Sequence, residues 1–546
     1  MMYRAILLIS VPAAILISCT VKDRQEAPTL SAERLERRII ELSADEFMGR
    51  KPFTEGEKRT LDYLQKEYAA AGLEPANGDS YLQEVPMVEI TTNAEPVMRL
   101  TAGNKTLELK GYDEYVAWSR VPSGTALENT EFVFAGYGIV APEYNWNDYE
   151  GLDVKDKVVL VMVNDPGFGT NDSTFFKGSA MTYYGRWTYK FEEAARQGAK
   201  GCLVIHEDAA ASYPFGVLQT SWNTAKLYLE SEQVTCPVEG WLSFPATRKL
   251  FEAAGLNLAE ELSAAKKPGY KGRPLGIRAT TALPAVSQKN NSYNVIGKIT
   301  GTTRPEEVII YTAHWDHLGI GMPDASGDSI YNGALDNASG TAGILEIAEA
   351  FRALETKPER TVVFLAVTAE EEGLLGSAYY VNNPIFPHEN TVANINIDVL
   401  GSFGPMKNVV IVGYGQSDLE DYVKEICRET GRYVSPDPHP EAGFYFRSDH
   451  FNFAKAGIPA LYVDAGNDHV TGGVEYGEKM AADYTANRYH QPADEYDATT
   501  WHLDGALEDL QLLFEVGRRL ASESSWPQWK EGSEFKAVRE ASRTNP

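Results

Sequence analysis

Histidine and carboxylate side chains recur at five places in the C-terminal half of the chain. The segments are Thr312-Ala313-His314-Trp315-Asp316-His317, Ala334-Leu335-Asp336-Asn337, Ala369-Glu370-Glu371-Glu372-Gly373, Ile397-Asp398 and Arg488-Tyr489-His490-Gln491. One such side chain on an exposed loop carries little meaning, since soluble proteins place most of their charges there. Imidazole combined with carboxylate oxygens, however, suits zinc and is typical of open, catalytic metal sites. The pattern therefore predicts a catalytic metal centre.

The charge of these residues favours two ions over one. Asp336, Glu371 and Asp398 carry three negative charges, and a bound hydroxide adds a fourth, which balances two dications about 3.5 to 4 Å apart. A carboxylate must lie between the ions, because an unscreened pair of dications at that distance would repel strongly. We therefore predict two Zn²⁺ per chain.

Apolar runs and amphipathic stretches alternate after Asn294, and they position these residues. Two helices are predicted, over about 339–355 and over 418–430, the second ended by Gly431. The predicted strands are Val308–Tyr311, Val362–Val367, Val392–Ile397, Val409–Val412 and Ala460–Val463. Such alternation predicts an α/β fold with a mixed, mostly parallel sheet flanked by helices. Ligands bind at the carboxyl edge of such a sheet, where the candidate residues lie.

The residue pattern before Asn294 differs between two regions. Two amphipathic helices open the first domain, and residues between about 90 and 285 then form short β-type runs with turns. We predict six parts: a lipoprotein signal peptide (1–19), a tether (20–30), an N-terminal part of the catalytic domain (31–90), an inserted β-rich domain (91–285), the main catalytic part (286–525) and a C-terminal tail (526–546).

Taken together, the motifs resemble the M28 family of co-catalytic zinc aminopeptidases over nearly the whole mature chain. The set His314-x-Asp316, Asp336-Asn337, Glu370-Glu371, Asp398 and His490 carries the resemblance. Leu42-Ser-Ala-Asp-Glu-Phe-Met-Gly-Arg50 and Gly56 resemble the family's N-terminal segment. Phe134 to Pro142, Asp148-Tyr149 and Val154 to Val159 resemble the protease-associated (PA) domain that some members insert.

The resemblance implies a role for each matching residue. His314 and Asp398 would bind one zinc, Glu371 and His490 the other, and Asp336 would bridge them. Glu370 is the expected general base, a task for a carboxylate that coordination does not neutralise. Asp316 would accept a hydrogen bond from His314 and fix the ring so that its other nitrogen faces zinc.

Four further side chains have weaker support. Tyr489 resembles a residue that stabilises the oxyanion in some members, although a packed loop aromatic is an equal alternative. Arg447 resembles part of the segment that lines the substrate cleft, where it could bind a peptide carboxylate or carbonyl, or be a solvated loop residue. His317 and His450 are expected near the site but not as ligands.

The resemblance implies an exopeptidase that removes N-terminal residues from peptides, with a metal-bridging hydroxide as nucleophile. The insert and a Gly-rich loop from Ala465 to Arg488 are expected to narrow the cleft. Two alternatives stay open: a carboxypeptidase of the same family, and a non-catalytic receptor or binding protein on the same scaffold.

Composition and the N-terminus limit the partners. With 50 Lys and Arg against 77 Asp and Glu, the net charge of −27 excludes a typical nucleic-acid-binding protein.

Ala5 to Ile17 is typical of a signal-peptide core, and Leu16-Ile17-Ser18-Cys19 resembles a bacterial lipobox. We expect an exported protein held on a bacterial membrane only through lipidated Cys19, on the periplasmic or cell-surface side, although secretion after a different cleavage is the alternative. Cys202, Cys236 and Cys427 permit one disulfide.

Overall fold

A mixed ten-stranded sheet forms the centre of the catalytic part. The computed structural model describes residues 30–230 and 234–544; Cys19, the predicted signal peptide and nearly all of the predicted tether lie outside these residues. The strands of this sheet, in spatial order, are Ala225–Leu229, Leu82–Thr92, Ala285–Ile299, Arg360–Val367, Arg304–His314, Thr391–Asn396, Ala460–Ala465, Asn408–Ile411 and Tyr433–Pro436, with Glu74–Pro75 beside Ala285–Ile299.

The middle of the sheet consists of four parallel strands. Arg304–His314 lies between Arg360–Val367 and Thr391–Asn396, and Thr391–Asn396 pairs in turn with Ala460–Ala465. The Arg360–Val367 strand is buried along its whole length, as expected for a strand covered on both faces. Since parallel strands end at one edge, the loops that follow them converge there. The predicted α/β fold with a mixed sheet flanked by helices is confirmed.

Helices cover both faces of this sheet. Those predicted over 339–355 and 418–430 form Gly340–Ala353 and Leu419–Thr430, and Gly431 ends the latter with a φ of 78°. That left-handed conformation is one that glycine adopts without steric cost. The catalytic part contains the helices Ala32–Leu42, Glu55–Ala70, Gly340–Ala353, Leu375–Asn382, Leu419–Thr430, His450–Lys455, Gly473–Asn487, Asp504–Ser522 and Lys536–Thr544.

The predicted Gly-rich loop from Ala465 to Arg488 is wrong over most of its length. Residues Gly473–Asn487 form a 15-residue helix. Most of its side chains are exposed, so it lacks the continuous apolar stripe by which helices are recognised in a sequence. The strong helix formers in Glu478-Lys-Met-Ala-Ala482 were the available signal, and the neighbouring glycines masked it.

A second sheet of eight strands is inserted between two strands of the first. The strands Leu82–Thr92 and Ala285–Ile299 are antiparallel, with Thr92 opposite Ala285 where the chain leaves and re-enters the main sheet. In spatial order the inserted strands are Lys105–Lys110, Val97–Ala102, Arg273–Leu283, Thr125–Phe134, Val158–Met162, Gly201–Ile205, Val238–Leu242 and Tyr115–Ser119. Its helices are Trp187–Arg196, Asp208–Ala211, Phe215–Gln219, Phe244–Ala253 and Leu258–Ala265.

The segment predicted as a C-terminal tail packs against the catalytic part. Trp529 and Phe535 are buried, and the Trp529 indole N–H donates to the Gly457 carbonyl at 2.8 Å. The three cysteines among the described residues are buried and free, so the possible disulfide does not form there. No helix in residues 30–230 and 234–544 carries an apolar stretch of the length needed to cross a bilayer.

The Gly340–Ala353 helix directly follows the segment that contains Asp336. Its packing predicts that a substitution on its buried face lowers the stability of the protein. Ile347 is fully buried, whereas Ile40 on the Ala32–Leu42 helix is 44% exposed. We expect Ile347→Ala to lower the free energy of unfolding by about 2–5 kcal/mol, because it leaves a cavity. The control Ile40→Ala should change it by about 0.5 kcal/mol or less. Urea denaturation of the two variants checks this, and similar losses would contradict the assigned core.

Candidate metal centre

The five predicted ligands meet in one pocket at the carboxyl edge of the parallel strands. His314 ends the strand Arg304–His314, and Asp398 follows the strand Thr391–Asn396. The His314 imidazole lies close to two carboxylates. The His314 Nε2 atom lies 3.1 Å from Asp398 Oδ1 and 3.3 Å from Asp336 Oδ1. These three side chains therefore form one group of potential ligands.

His490 completes the other half of the pocket. Its Nε2 atom lies 3.2 Å from Asp336 Oδ2 and 3.2 Å from Glu371 Oε2. The two carboxylate oxygens of Asp336 thus point to different histidines, Oδ1 to His314 and Oδ2 to His490. A carboxylate with one oxygen directed to each half of the pocket has the placement that a bridging ligand requires.

His317 lies closer to this pocket than its weak sequence support suggested. Its Nδ1 atom is 2.6 Å from Glu371 Oε1, and its Nε2 atom is buried without a hydrogen-bond partner among the described residues. His317, Asp336 and Glu371 also form a group whose ligand atoms lie within 4.8 Å of one another. His317 is therefore a further donor at the Glu371 side of the pocket.

Asp316 orients the site through two different oxygen types. The His314 Nδ1 atom is 3.1 Å from the Asp316 backbone carbonyl but 3.8 Å from its carboxylate, so the carbonyl is the acceptor that fixes the ring. The Asp316 carboxylate instead accepts the backbone N–H groups of Glu370 and Glu371, at 3.0 and 3.4 Å. The predicted orienting residue is thus in place, but its side chain holds the loop of the two glutamates.

The electrostatics of the pocket favour a bound cation. Burial lowers the pKa of both imidazoles, yet Asp398 and Glu370 raise that of His314 well above its usual value. Hydrogen bonds to Asp336 and Glu371 likewise raise the pKa of His490 to about 10. The carboxylates therefore stabilise positive charge at the two places where the predicted metals would lie. The donor set, imidazole nitrogen and carboxylate oxygen, fits zinc.

Adjacent glutamates differ sharply in their ionisation. Burial raises the pKa of Glu370 well above its usual value, and the charges of Asp398 and Glu371 raise it further. Burial and Asp336 also oppose ionisation of Glu371, but His317 and His490 outweigh them and lower its pKa to about 2. Glu371 thus has the lowered pKa of the pair and Glu370 the raised one, and a carboxylate with a raised pKa is the stronger proton acceptor once it is ionised.

The segment Arg447-Ser448-Asp449-His450 holds the Asp398 side of the pocket. The Ser448 hydroxyl donates to Asp398 Oδ2 at 2.5 Å and accepts from the Asn396 amide at 2.7 Å. Asp449 is fully buried and accepts from the Ser377 hydroxyl at 2.5 Å. Burial and neighbouring carboxylates raise its pKa to about 7 although His314 opposes this. This segment therefore fixes Asp398 through a hydroxyl.

Asp494 holds the Asp336 side, and the sequence analysis missed it. Its carboxylate accepts the backbone N–H groups of Leu335 and Asp336, each at 3.1 Å, and the Tyr484 hydroxyl at 3.3 Å. Asp494 thereby connects the loop that contains Asp336 to the segment that contains His490. Its nearness to His490 in the sequence was a signal, but its partners lie too far away in the chain to be inferred.

Arg50 is a buried cation behind the pocket. It is 1% exposed, and its guanidinium donates to four backbone carbonyls, those of Leu42, Trp315, Asn332 and Gly333. Burial lowers its pKa to about 10, while Asp316 and Asp336 oppose the shift. Gly49 makes this placement possible, since a Cβ there would lie 2.6 Å from the carbonyls of Gly319 and Tyr331. Arg50 therefore holds in place the backbone near His314 and near Asp336, two of the candidate ligands.

Tyr489 lies at the mouth of the pocket. Its ring stacks on His490 with centroids 3.9 Å apart, and it is 44% exposed. Burial and the charges of Asp336 and Glu371 raise its pKa, so the phenol keeps its proton. It is therefore a neutral hydrogen-bond donor beside the ligands.

The Arg447 guanidinium donates to the Ala442 carbonyl at 2.7 Å, and burial lowers its pKa. Two further histidines, His450 and His206, are fully or almost fully buried. His450 packs against Tyr445, and burial lowers its pKa to about 3, so it is a neutral packing residue. His206 directly follows the buried strand Gly201–Ile205 of the insert.

The contacts of Asp494 predict an effect on metal affinity. We expect Asp494→Ala to weaken zinc binding about 10- to 100-fold, because the Asp336 loop loses the acceptor that orients it. Asp497→Ala is the matched control, since Asp497 is exposed and its carboxylate accepts hydrogen bonds from the neighbouring Thr499 and Thr500. Competition with a chromophoric zinc chelator measures both. Equal affinities in the two variants would contradict a role for Asp494 in the site.

Comparison with known proteins finds a family match in the ligand-bearing region. Residues 294–514 match Peptidase family M28. The chain is 30% identical over 191 residues to Leupeptin-inactivating enzyme 1 of Streptomyces exfoliatus, covering 35% of this chain and 40% of that protein. It is also 30% identical over 179 residues to a probable aminopeptidase of Saccharomyces cerevisiae, covering 31% and 46%. The matched regions thus span less than half of these curated relatives.

Solved structures with similar architecture include an aminopeptidase from Aneurinibacillus sp. strain AM-1. It is 19% identical, with a TM-score of 0.47 over 91% of this chain and 96% of its own. A zinc aminopeptidase from Bacillus subtilis is 18% identical, with a TM-score of 0.43 over 94% and 98%. All five candidate ligands lie within residues 294–514, the region that matches peptidase family M28.

Proposed function

We propose that the protein is a zinc-dependent aminopeptidase of the M28 type with two zinc ions per chain. One observation carries the proposal. One carboxylate oxygen of Asp336 contacts His314 and the other contacts His490. His314 also contacts Asp398, and His490 also contacts Glu371. Two half-sites that share one carboxylate fit two cations better than one. The match of residues 294–514 to a peptidase family supports hydrolysis of peptides.

His314 and Asp398 would hold one ion, Glu371 and His490 the other, and Asp336 both. When bound, the ions lower the pKa of water and polarise the scissile carbonyl. Glu370 takes the proton from the attacking water and passes it to the departing amine. Its buried position keeps the carboxylate from being solvated and favours the protonated form that this transfer produces.

Two neighbours assist this proton transfer. Asp316 holds the backbone of Glu370 through a hydrogen bond of 3.0 Å, which limits the movement of the base. Tyr489, which keeps its proton, donates to the oxygen on which negative charge develops.

The charge of the pocket favours the amino end of a peptide. Five carboxylates surround the site, Asp316, Asp336, Glu370, Glu371 and Asp398. Two zinc ions would balance the three that bind them, and Asp316 and Glu370 would be left to attract a positive α-amine. Relatives named as aminopeptidases support the same polarity. All predicted ligand types are present, which distinguishes the chain from a receptor on the same scaffold.

The remaining parts of the proposal concern the insert and the membrane. We assign the second sheet to a PA-type domain, because its motifs resemble that domain and its strands form a separate unit. We also propose export and attachment to a bacterial membrane through lipidated Cys19, on the strength of the signal-peptide pattern.

Replacing the base should separate metal binding from turnover. We expect Glu370→Gln to keep about two zinc per chain and to lower kcat on leucine p-nitroanilide about 10²- to 10⁴-fold, because the proton acceptor is lost. Glu372→Gln is the control, since Glu372 points toward Lys51 at 3.9 Å. Elemental analysis and steady-state kinetics check both. Near-normal turnover in Glu370→Gln would assign the base elsewhere, and wild-type activity that survives complete chelation would defeat the metal mechanism.

Blocking one end of a peptide decides the polarity. We expect N-acetylation of a leucine-initiated tripeptide to abolish cleavage, because the α-amine that the pocket attracts is lost. An unblocked tripeptide should release leucine first. Mass spectrometry of the products reads the order of release. Cleavage of the acetylated peptide with release of its C-terminal residue would establish the carboxypeptidase alternative.

A further inference from the structure

One further carboxylate belongs to the row of side chains that carries two of the candidate ligands. Across three neighbouring parallel strands, Thr312 pairs with Asn396, and Asn396 pairs with Tyr462. Residues paired in this way point to the same face of a sheet, and the Thr312 hydroxyl accordingly donates to Asn396 Oδ1 at 2.6 Å. The next residues on this face, two positions further along the chain in each case, are His314, Asp398 and Asp464.

Two contacts support this placement of Asp464 beyond the last paired residues. The Tyr462 hydroxyl donates to the Asp398 backbone carbonyl at 3.2 Å, so the strand that carries Asp464 stays beside Asp398. The loop after Asp398 also approaches the end of that strand, since a Cβ at Gly401 would lie 2.9 Å from the Cβ of Ala465. Neighbouring strands lie about 4.8 Å apart. Asp464 therefore lies about one strand spacing beyond Asp398 at the edge of the pocket.

The Asp464 carboxylate pairs with no cation among the described residues. It is half-buried, and the hydrogen bond that it accepts there comes from the neighbouring Ala465 N–H at 2.7 Å. Burial raises its pKa to about 7, although this N–H opposes the shift. By contrast Asp468, four residues later, pairs with Lys407 at 2.8 Å. A half-buried carboxylate without such a partner is stabilised when it binds a cation.

Neither the metals nor the sheet would supply that cation. Two zinc ions would be balanced by their three carboxylate ligands and a hydroxide, so the charge of Asp464 would remain. On its own face of the sheet, Asp464 has Tyr462 two residues earlier and Val410 directly opposite on the antiparallel strand. Both of these side chains are neutral. The positive charge that matches Asp464 would therefore come from the substrate.

The position of Asp464 selects a side chain of the substrate over its α-amine. The α-amine is separated from the scissile carbonyl by one carbon atom, so it lies beside the metals. Asp464 lies on the far side of Asp398 from His314, about two strand spacings or 10 Å away from the His314 backbone. Lysine and arginine have long aliphatic stems that carry a charged group away from the main chain. Such a side chain suits this distance.

We propose that Asp464 binds the positively charged side chain of an N-terminal lysine or arginine, and that the enzyme therefore prefers peptides with a basic first residue. A charged ammonium or guanidinium group donates to a carboxylate in a charge-assisted hydrogen bond, which is stronger than a neutral one. The inference rests on the proposed function, because the scissile bond must lie at the metal centre.

A pair of reporters of equal length tests the preference. The protein is the zinc-loaded full chain, and the substrates are the p-nitroanilides of lysine and norleucine, which differ by the charged group. At about pH 8, above the pKa of the carboxylate, we expect kcat/KM for the lysine reporter to be ten-fold or more higher. Asp464→Asn should reduce that ratio to about two or less, while turnover of the norleucine reporter stays within about three-fold of wild type.

Two further variants control for changes in structure. Asp464→Glu keeps the charge and should retain part of the preference for lysine. Asp468→Asn, on the same segment but paired with Lys407, should keep the wild-type ratio. A wild-type ratio of two or less overturns the proposal, as does a high ratio that survives Asp464→Asn.

A binding measurement separates this inference from the proposed function. The probes are L-lysinamide and L-norleucinamide, titrated calorimetrically into the zinc-loaded chain with Glu370→Gln. We expect lysinamide to bind ten-fold or more tightly, and the addition of Asp464→Asn should remove the difference. If wild-type protein cleaves no aminoacyl p-nitroanilide yet this difference is found, the aminopeptidase proposal fails and the Asp464 site stands. Cleavage of the norleucine reporter without any preference for lysine supports the aminopeptidase and overturns the Asp464 site.

Discussion

The structure depends on the placement of negative charge in a buried pocket. Asp336 directs one oxygen to His314 and the other to His490, and further carboxylates stand within the same few ångströms. Ionised carboxylates at such distances are stable only if positive charge lies between them. For this reason the carboxylates raise the pKa of His314 and of His490, and protonated imidazoles supply positive charge in the pocket. Dications at the same positions would satisfy it more fully and leave the imidazoles neutral.

The rest of the fold holds these charges against their mutual repulsion. Parallel strands bring His314 and Asp398 to one edge, and hydrogen bonds then fix each loop. Asp494 holds the Asp336 loop by two N–H groups, Asp316 holds the glutamate loop, and Ser448 holds Asp398. The orienting contacts to these loops come from distant parts of the chain, so the site forms only when the whole catalytic part is folded.

The ligands could be predicted from the sequence, whereas most of the groups that orient them could not. His314, Glu371 and Asp398 combine an informative residue type with a position at a strand end, and both features are visible in a linear chain. Arg50 lies in a segment that resembles the family, but the contacts by which Asp494 and Arg50 hold the ligand loops join residues 158 and 265 positions apart. The helix Gly473–Asn487 escaped prediction for a different reason, since its exposed surface gives no apolar periodicity.

The shielded arginines differ in how fully hydrogen bonds satisfy them. Arg50 donates from Nε and from both terminal nitrogens to backbone carbonyls, so its capacity is used within the fold. Arg186 and Arg447 each retain a shielded Nε donor without a partner. The Nε atoms of Arg304, Arg432 and Arg539 are shielded and unpaired in the same way, so an open Nε donor does not by itself mark a binding site in this fold.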